Sequence, residues 1–297
     1  MLPKRRSHAK SPENLPTGTL ANDKRVTPMS YSRTMALETL SPSRASDFKL
    51  CPQLFKFRSI DKLPEPTTIH QARGTTAHMA LQKLYDLSPA ARTPEKLYDL
   101  FRDAWTEMRS TEEYADLFAN VEEERNWGVD SMKLLANYFS VENPPEVHPL
   151  ERELDMLQSL GDITIRGILD RIDETPSGEL IITDYKSGKA PPERFAEPAF
   201  FALKIYALLI REKLGRTPVE VRLLYLNGPT LYRLEVTDGQ LDAMNQQLQA
   251  LWKAIDRAIE SQTFPPRVNK LCDWCSYQDL CPAFAAIGVE TADAAAS

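Results

Sequence analysis

The sequence predicts an α/β protein with a central mixed sheet flanked by helices. Two observations lead to that class. Helical apolar spacing fills residues 41–139, and short apolar runs rich in Ile, Leu and Val cluster between 150 and 236. A helix-length segment divides those runs, giving the order αα…βββ-α-ββ-α, in which helices pack on a sheet.

The elements follow in chain order. Residues 1–39 hold Lys4, Arg5, Arg6, Lys10, Lys24, Arg25 and Arg33 against Glu13, Asp23 and Glu38, without apolar period. They read as a disordered basic arm. Ser41 or Ser43 can cap a helix with Pro42 in its first turn, ending near Cys51-Pro52. A second helix is expected from Arg73, with Gly74 and His78 four apart on one face. Helical spacing then continues from Thr93 to Phe139, in an insert of about 89–143 that Pro144, Pro145 and Pro149 end. Strands are expected at 150–157, 163–172 and 180–185, a helix at about 192–213, strands at 219–226 and 231–236, and a long helix at 240–260. An Ala-rich tail at 287–297 closes the sequence.

Bulk properties exclude some classes. The net charge of −6 argues against a protein that coats nucleic acid non-specifically, though a local basic groove on an enzyme remains compatible with it. No apolar run approaches the roughly 20 residues of a membrane helix, and the basic N-terminus lacks the apolar core of a secretory signal. The expected setting is cytoplasmic, with no membrane partner.

The chemistry concentrates between Gly167 and Lys189. An apolar run ends at Asp170, a Pro-Ser-Gly turn follows, and a second run ends in Asp184-Tyr185-Lys186. As a hairpin, each strand delivers one carboxylate. Alternation sets Asp184 and Lys186 on one face and Tyr185 on the other. Two carboxylates, the Tyr185 carbonyl and His78 form a hard-ligand set suited to Mg²⁺ or Mn²⁺. Lys186 is placed to orient or deprotonate a water and to offset charge on a phosphodiester. Ser187-Gly188-Lys189 lacks the remaining P-loop residues. The expected DNA contacts are Arg171, Lys189, Arg194 and Lys204.

Cys272, Cys275 and Cys281 crowd a proline-bounded stretch at 264–284, and Cys51 is the one cysteine left to complete a set of four. Their spacing admits either Zn²⁺ or a [4Fe–4S] cluster.

Taken together, these residues resemble the RecB-type branch of the PD-(D/E)XK nucleases, in particular its iron–sulfur members. The resemblance is carried by Leu40-Ser-Pro through Cys51-Pro52, Gly74-x₃-His78, Gly167-x₂-Asp170-Arg171-Ile172-Asp173, Asp184-Tyr185-Lys186 and Cys272-x₂-Cys275-x₅-Cys281-Pro282. It implies a restriction-endonuclease-like core over 40–286. It also implies metal ligands His78, Asp170, Asp184 and the Tyr185 carbonyl, with Lys186 catalytic and Tyr206 on the helix that follows. It prefers a [4Fe–4S] cluster on Cys51, Cys272, Cys275 and Cys281 over zinc. The implied activity is that of an exonuclease in DNA repair or recombination, working with a separate helicase or repair protein. One departure stands out: where the family has glutamine four residues before the tyrosine, this chain has Ala202. That departure keeps open a non-catalytic DNA-binding or complex-forming module on the same fold.

Overall fold

Ser41 opens the first helix as its spacing predicts. Its side chain accepts the Arg44 N–H at 3.2 Å, Pro42 occupies the first turn, and α1 spans Pro42–Leu50. The structure, a computed structural model, describes residues 37–285. The expected arm (apart from residues 37–39) and the expected tail lie outside the described residues.

After α2 (Pro52–Phe55) and a π-type turn at Lys56–Ile60, α3 spans Ile69–Leu84. It begins before the expected Arg73 because Thr68 and Gln71 form a capping box. Thr68 Oγ1 accepts the Gln71 N–H at 3.2 Å, and Gln71 Oε1 accepts the Thr68 N–H at 2.8 Å. The expected insert resolves into α4 (Pro94–Met108), α5 (Val121–Ala136) and short α6 (Tyr138–Val141).

Five strands form one sheet in the order β1 (Pro149–Leu160), β2 (Ile163–Glu174), β3 (Leu180–Lys189), β4 (Glu220–Asn227), β5 (Thr230–Glu235). All neighbours are antiparallel except β3 and β4, whose parallel pairing requires a crossover. That crossover is α7 (Glu197–Leu214), which starts later than expected because Pro191 and Pro192 precede a 3₁₀ turn at Glu193–Phe195. The long α8 (Asp238–Ser261) follows β5, and a four-residue α9 (Pro282–Ala285) ends the described chain. Among the described residues no helix is long and apolar enough to cross a membrane.

Each face of the sheet carries a core. On one, Met156, Ile172 and Ile182 pack with Phe48 of α1, Leu208 of α7 and Leu248 of α8. On the other, Tyr185 and Leu224 pack beneath Leu81, Phe101, Trp127 and Tyr138. The helices of the expected insert are thus the second layer of the domain.

The strand pair β1–β2 turns over at its middle. Leu169 belongs to the first core, yet Arg171, two residues on, bonds to Tyr85 and Tyr138 in the second. Strict alternation would keep both on one face. The reversal falls between the pairs Arg152↔Arg171 and Leu154↔Leu169, where Glu153 takes φ 47°. It corrects the expectation that Arg171 contacts DNA: the side chain is 1% exposed and ion-paired to Glu142 and Asp173.

Candidate active site

The site forms where β2 changes partners along one edge. Near Ile165 that edge binds Leu40, with Leu40 N–H on Thr164 O and Arg166 N–H on Leu40 O, each at 2.9 Å. From Arg171 onward the edge binds β3. Residues 167–170 border the gap between, and the side chains of Tyr206 and Asp170 enter it: the Tyr206 ring lies against Gly167, and Asp170 Oδ2 accepts the Tyr185 N–H at 2.8 Å.

Gly167 is what lets Tyr206 enter. A Cβ at position 167 would lie 2.7 Å from Tyr206 Cε1 and 3.3 Å from Pro42 Cδ. The rigid ring cannot yield by rotating a terminal bond. Gly167→Ala is therefore expected to displace Tyr206 and destabilise the protein by about 1–3 kcal/mol. A melting curve matching the wild type would contradict this packing.

His78 projects from α3 into the gap. Its Nδ1 lies 3.3 Å from Asp170 Oδ1 and its Nε2 3.0 Å from the Tyr185 carbonyl oxygen. Both ring nitrogens thus face acceptors, the arrangement of an imidazolium. Burial alone would lower its pKa, but hydrogen bonding to and the charge of Asp170, with Asp184 and Glu153 behind, raise it to about 9. Because the folded value is the higher one, His78 stabilises the metal-free protein fully below its unfolded value near 6.5. That contribution is lost as pH rises through about 9. In EDTA, the stability gap between wild type and His78→Gln is expected to narrow over this window. A gap independent of pH from 6 to 10 would contradict the assignment.

A third carboxylate joins them. Ligand atoms of His78, Glu153 and Asp170 all lie within 4.8 Å of one another. Glu153 sits on β1 in the register position opposite Asp170, at the reversal described above. Sequence reasoning missed it, although a signal existed. The two-residue turn Gly161-Asp162, with Gly161 at φ 59°, pairs Leu160 with Ile163, and counting back along both strands brings Glu153 to Asp170.

Asp184 and Lys186 share a face, as expected. Lys186 Nζ lies 2.6 Å from Asp184 Oδ2, an oxygen with no directed hydrogen bond despite its burial. Burial raises the Asp184 pKa, with Lys186 opposing and Asp170 adding. For Lys186 burial acts downward, but Asp184 and Asp170 prevail and raise it. In the metal-free protein the ammonium form of Lys186 is favoured.

Of the other expected contacts, Lys189 and Arg194 are exposed, with the Arg194 guanidinium 4.9 Å from the Phe195 ring centroid. Lys204 is paired to Glu197 at 3.0 Å. Ala202 lies one turn before Tyr206 on α7, half-buried.

The four cysteines are free, and all four line one apolar cavity with Leu50, Leu54, Phe57 and Phe284 among its walls. Backbone N–H groups of Arg267 and Asn269 donate to Cys51 and Cys272 Sγ, each at 3.3 Å. Short 3₁₀ turns at Cys272–Trp274 and Gln278–Leu280 fold the stretch back on itself. It is tied to the segment after α2, where Tyr277 donates to Leu63 O at 3.1 Å and Ser276 to Glu65 at 3.0 Å.

A mixed sheet with one α crossover, presenting acids and a lysine at a strand divergence, defines the class: the core is restriction-endonuclease-like. This chain belongs to the PD-(D/E)XK nuclease superfamily, whose family model matches residues 39–282. Among solved structures it is similar to a presumed exonuclease from Eubacterium rectale. There the identity is 13% and the TM-score 0.51, over 88% of this chain and 94% of that one, a likeness of fold. A protein designated SSO0001 aligns at 15% identity and TM-score 0.43, over 83% of this chain and 87% of that one. No curated protein matches the chain significantly.

Proposed function

We propose that this protein is a deoxyribonuclease dependent on Mg²⁺ or Mn²⁺, acting as a RecB-type exonuclease on DNA ends in repair or recombination. The observation that carries the reading is the convergence of His78, Glu153 and Asp170 within 4.8 Å, beside the Asp184–Lys186 pair. The donor set suits a hard divalent ion: carboxylate oxygens, the Tyr185 carbonyl and one imidazole. His78, Glu153, Asp170, Asp184 and the Tyr185 carbonyl would hold it. When bound, such an ion polarises a phosphodiester oxygen and lowers the pKa of a water.

The chain's own residues supply the rest. The Lys186 ammonium, held by Asp184, orients the attacking water and offsets charge growing on the phosphate oxygens. Tyr206, wedged against Gly167, keeps the gap open. Lys189 at the end of β3 and Arg194 on the connection to α7, both exposed, attract the phosphate backbone. A cytoplasmic setting and a separate helicase or repair protein as partner complete the proposal.

The test is an assay on end-labelled linear and on circular single-stranded DNA, with Mg²⁺ or Mn²⁺. Degradation of the linear substrate alone is expected, and no cleavage of either would overturn the reading. Ala202 supports a second reading, a DNA-binding module without turnover. That reading predicts DNA binding that persists in EDTA with no cleavage under any metal.

For the cysteines we propose a [4Fe–4S] cluster. All four cysteines line one cavity, and its apolar walls with the two N–H···S contacts suit a cluster. Anaerobic purification is expected to yield brown protein, and its iron loss to lower stability. Colourless protein with stoichiometric zinc would contradict this.

A further inference from the structure

Behind the site, on the second face of the sheet, one buried arginine uses its whole donor fork. Arg171 Nη2 meets Glu142 Oε1 at 2.7 Å and Nη1 meets Glu142 Oε2 at 2.8 Å. Nε donates to Asp173 at 3.0 Å. Nη1 also reaches the hydroxyls of Tyr85 at 3.0 Å, Tyr138 at 3.3 Å and Tyr185. Glu142 caps the end of α6 and Tyr85 the end of α3. The helical layer and strands β2 and β3 therefore meet on a single charge.

Stability alone does not explain this arrangement. A buried ion pair replaced by apolar residues of similar volume is often as stable or more so. What the planar fork adds is direction. Its contacts bear on the two residues whose backbone and side chain face the gap. Arg171 directly follows Asp170. Tyr185 is held at three points: its hydroxyl by Arg171, its N–H by Asp170 Oδ2 at 2.8 Å, and its carbonyl oxygen against His78 Nε2 at 3.0 Å. Loss of the hydroxyl contact removes one of these three points.

We infer that Arg171 is a positioning residue: through the Tyr185 hydroxyl it anchors the helical layer to the peptide that presents the Tyr185 carbonyl to the metal. The inference rests on the divalent-metal reading of the site. Outer contacts of this kind govern metal affinity in other proteins, where their loss weakens binding by about 10–100-fold.

The experiment titrates full-length wild type, Tyr185→Phe, Glu142→Gln and Trp105→Phe with Mn²⁺, following free Mn²⁺ by electron paramagnetic resonance and folding by circular dichroism. Tyr185→Phe keeps the ring and removes only the hydroxyl. It is expected to stay folded and to bind Mn²⁺ about tenfold more weakly, with Glu142→Gln moving in the same direction. Trp105, in the same helical layer, donates to Glu124 at 2.6 Å and packs on Tyr114, Phe118 and Trp127, none of which touches Arg171. Trp105→Phe is expected to melt earlier with unchanged Mn²⁺ affinity, which separates stability from positioning. Folded Tyr185→Phe with wild-type affinity would overturn the inference and leave the metal site standing. Equal weakening in Trp105→Phe would overturn it too. Wild type that takes up no Mn²⁺ would remove the metal reading itself and this inference with it.

Discussion

Lys186→Ala is expected to lose DNA cleavage by about 10²–10³-fold while keeping its fold and its Mn²⁺ affinity. The side chain is 40% exposed, so its removal leaves little packing unfilled. Its one ion-pair partner in the site is Asp184, an acid the ion can engage instead. Removing a positive charge beside three carboxylates cannot weaken a cation's binding electrostatically. The loss should therefore fall on turnover. Asp184→Ala, by contrast, is expected to lose both turnover and metal affinity. Paired gel assays and Mn²⁺ titrations separate the two. Lys186→Ala with wild-type cleavage would remove the lysine from the mechanism.

Arg171→Ala carries the largest expected effect on stability, a loss of about 3–5 kcal/mol. The reason is asymmetry. The wild-type guanidinium is 1% exposed and answers Glu142 and Asp173 together, so its removal leaves two acids buried without their cation. Burial already raises the Asp173 pKa, with Arg171 opposing it, and the loss of Arg171 would push it further. Denaturant unfolding monitored by circular dichroism measures the loss. A change below about 1 kcal/mol would show that the network is loosely held.

Much of the molecule was legible before the structure. Ser41 with Pro42 announces α1, and the runs flanking the Pro-Ser-Gly turn become β2 and β3. Asp184 and Lys186 share a face because period-two alternation holds through β3. Cys51 does join the C-terminal triad around one cavity. What escaped depends on distortions that a periodic pattern does not encode. Glu153 reaches the site where β1 and β2 turn over, with a backbone angle that non-glycine residues seldom adopt. The same reversal buries Arg171, whose charge and place in the motif suggested a DNA contact. The early start of α3 is encoded in Thr68-x-x-Gln71, a capping box that lies ahead of the glycine motif. The depth of the helical layer was not readable, since amphipathic helices carry no mark of which sheet face they cover.

The central claim is that His78, Glu153, Asp170, Asp184 and the Tyr185 carbonyl form one divalent-metal site. Anomalous diffraction from crystals soaked in Mn²⁺ tests it most directly. An anomalous peak is expected between His78, Asp170 and the Tyr185 carbonyl oxygen, with Glu153 or Asp184 completing the set. A well-ordered site with no peak at millimolar Mn²⁺, or Mn²⁺ found only elsewhere on the protein, would contradict it.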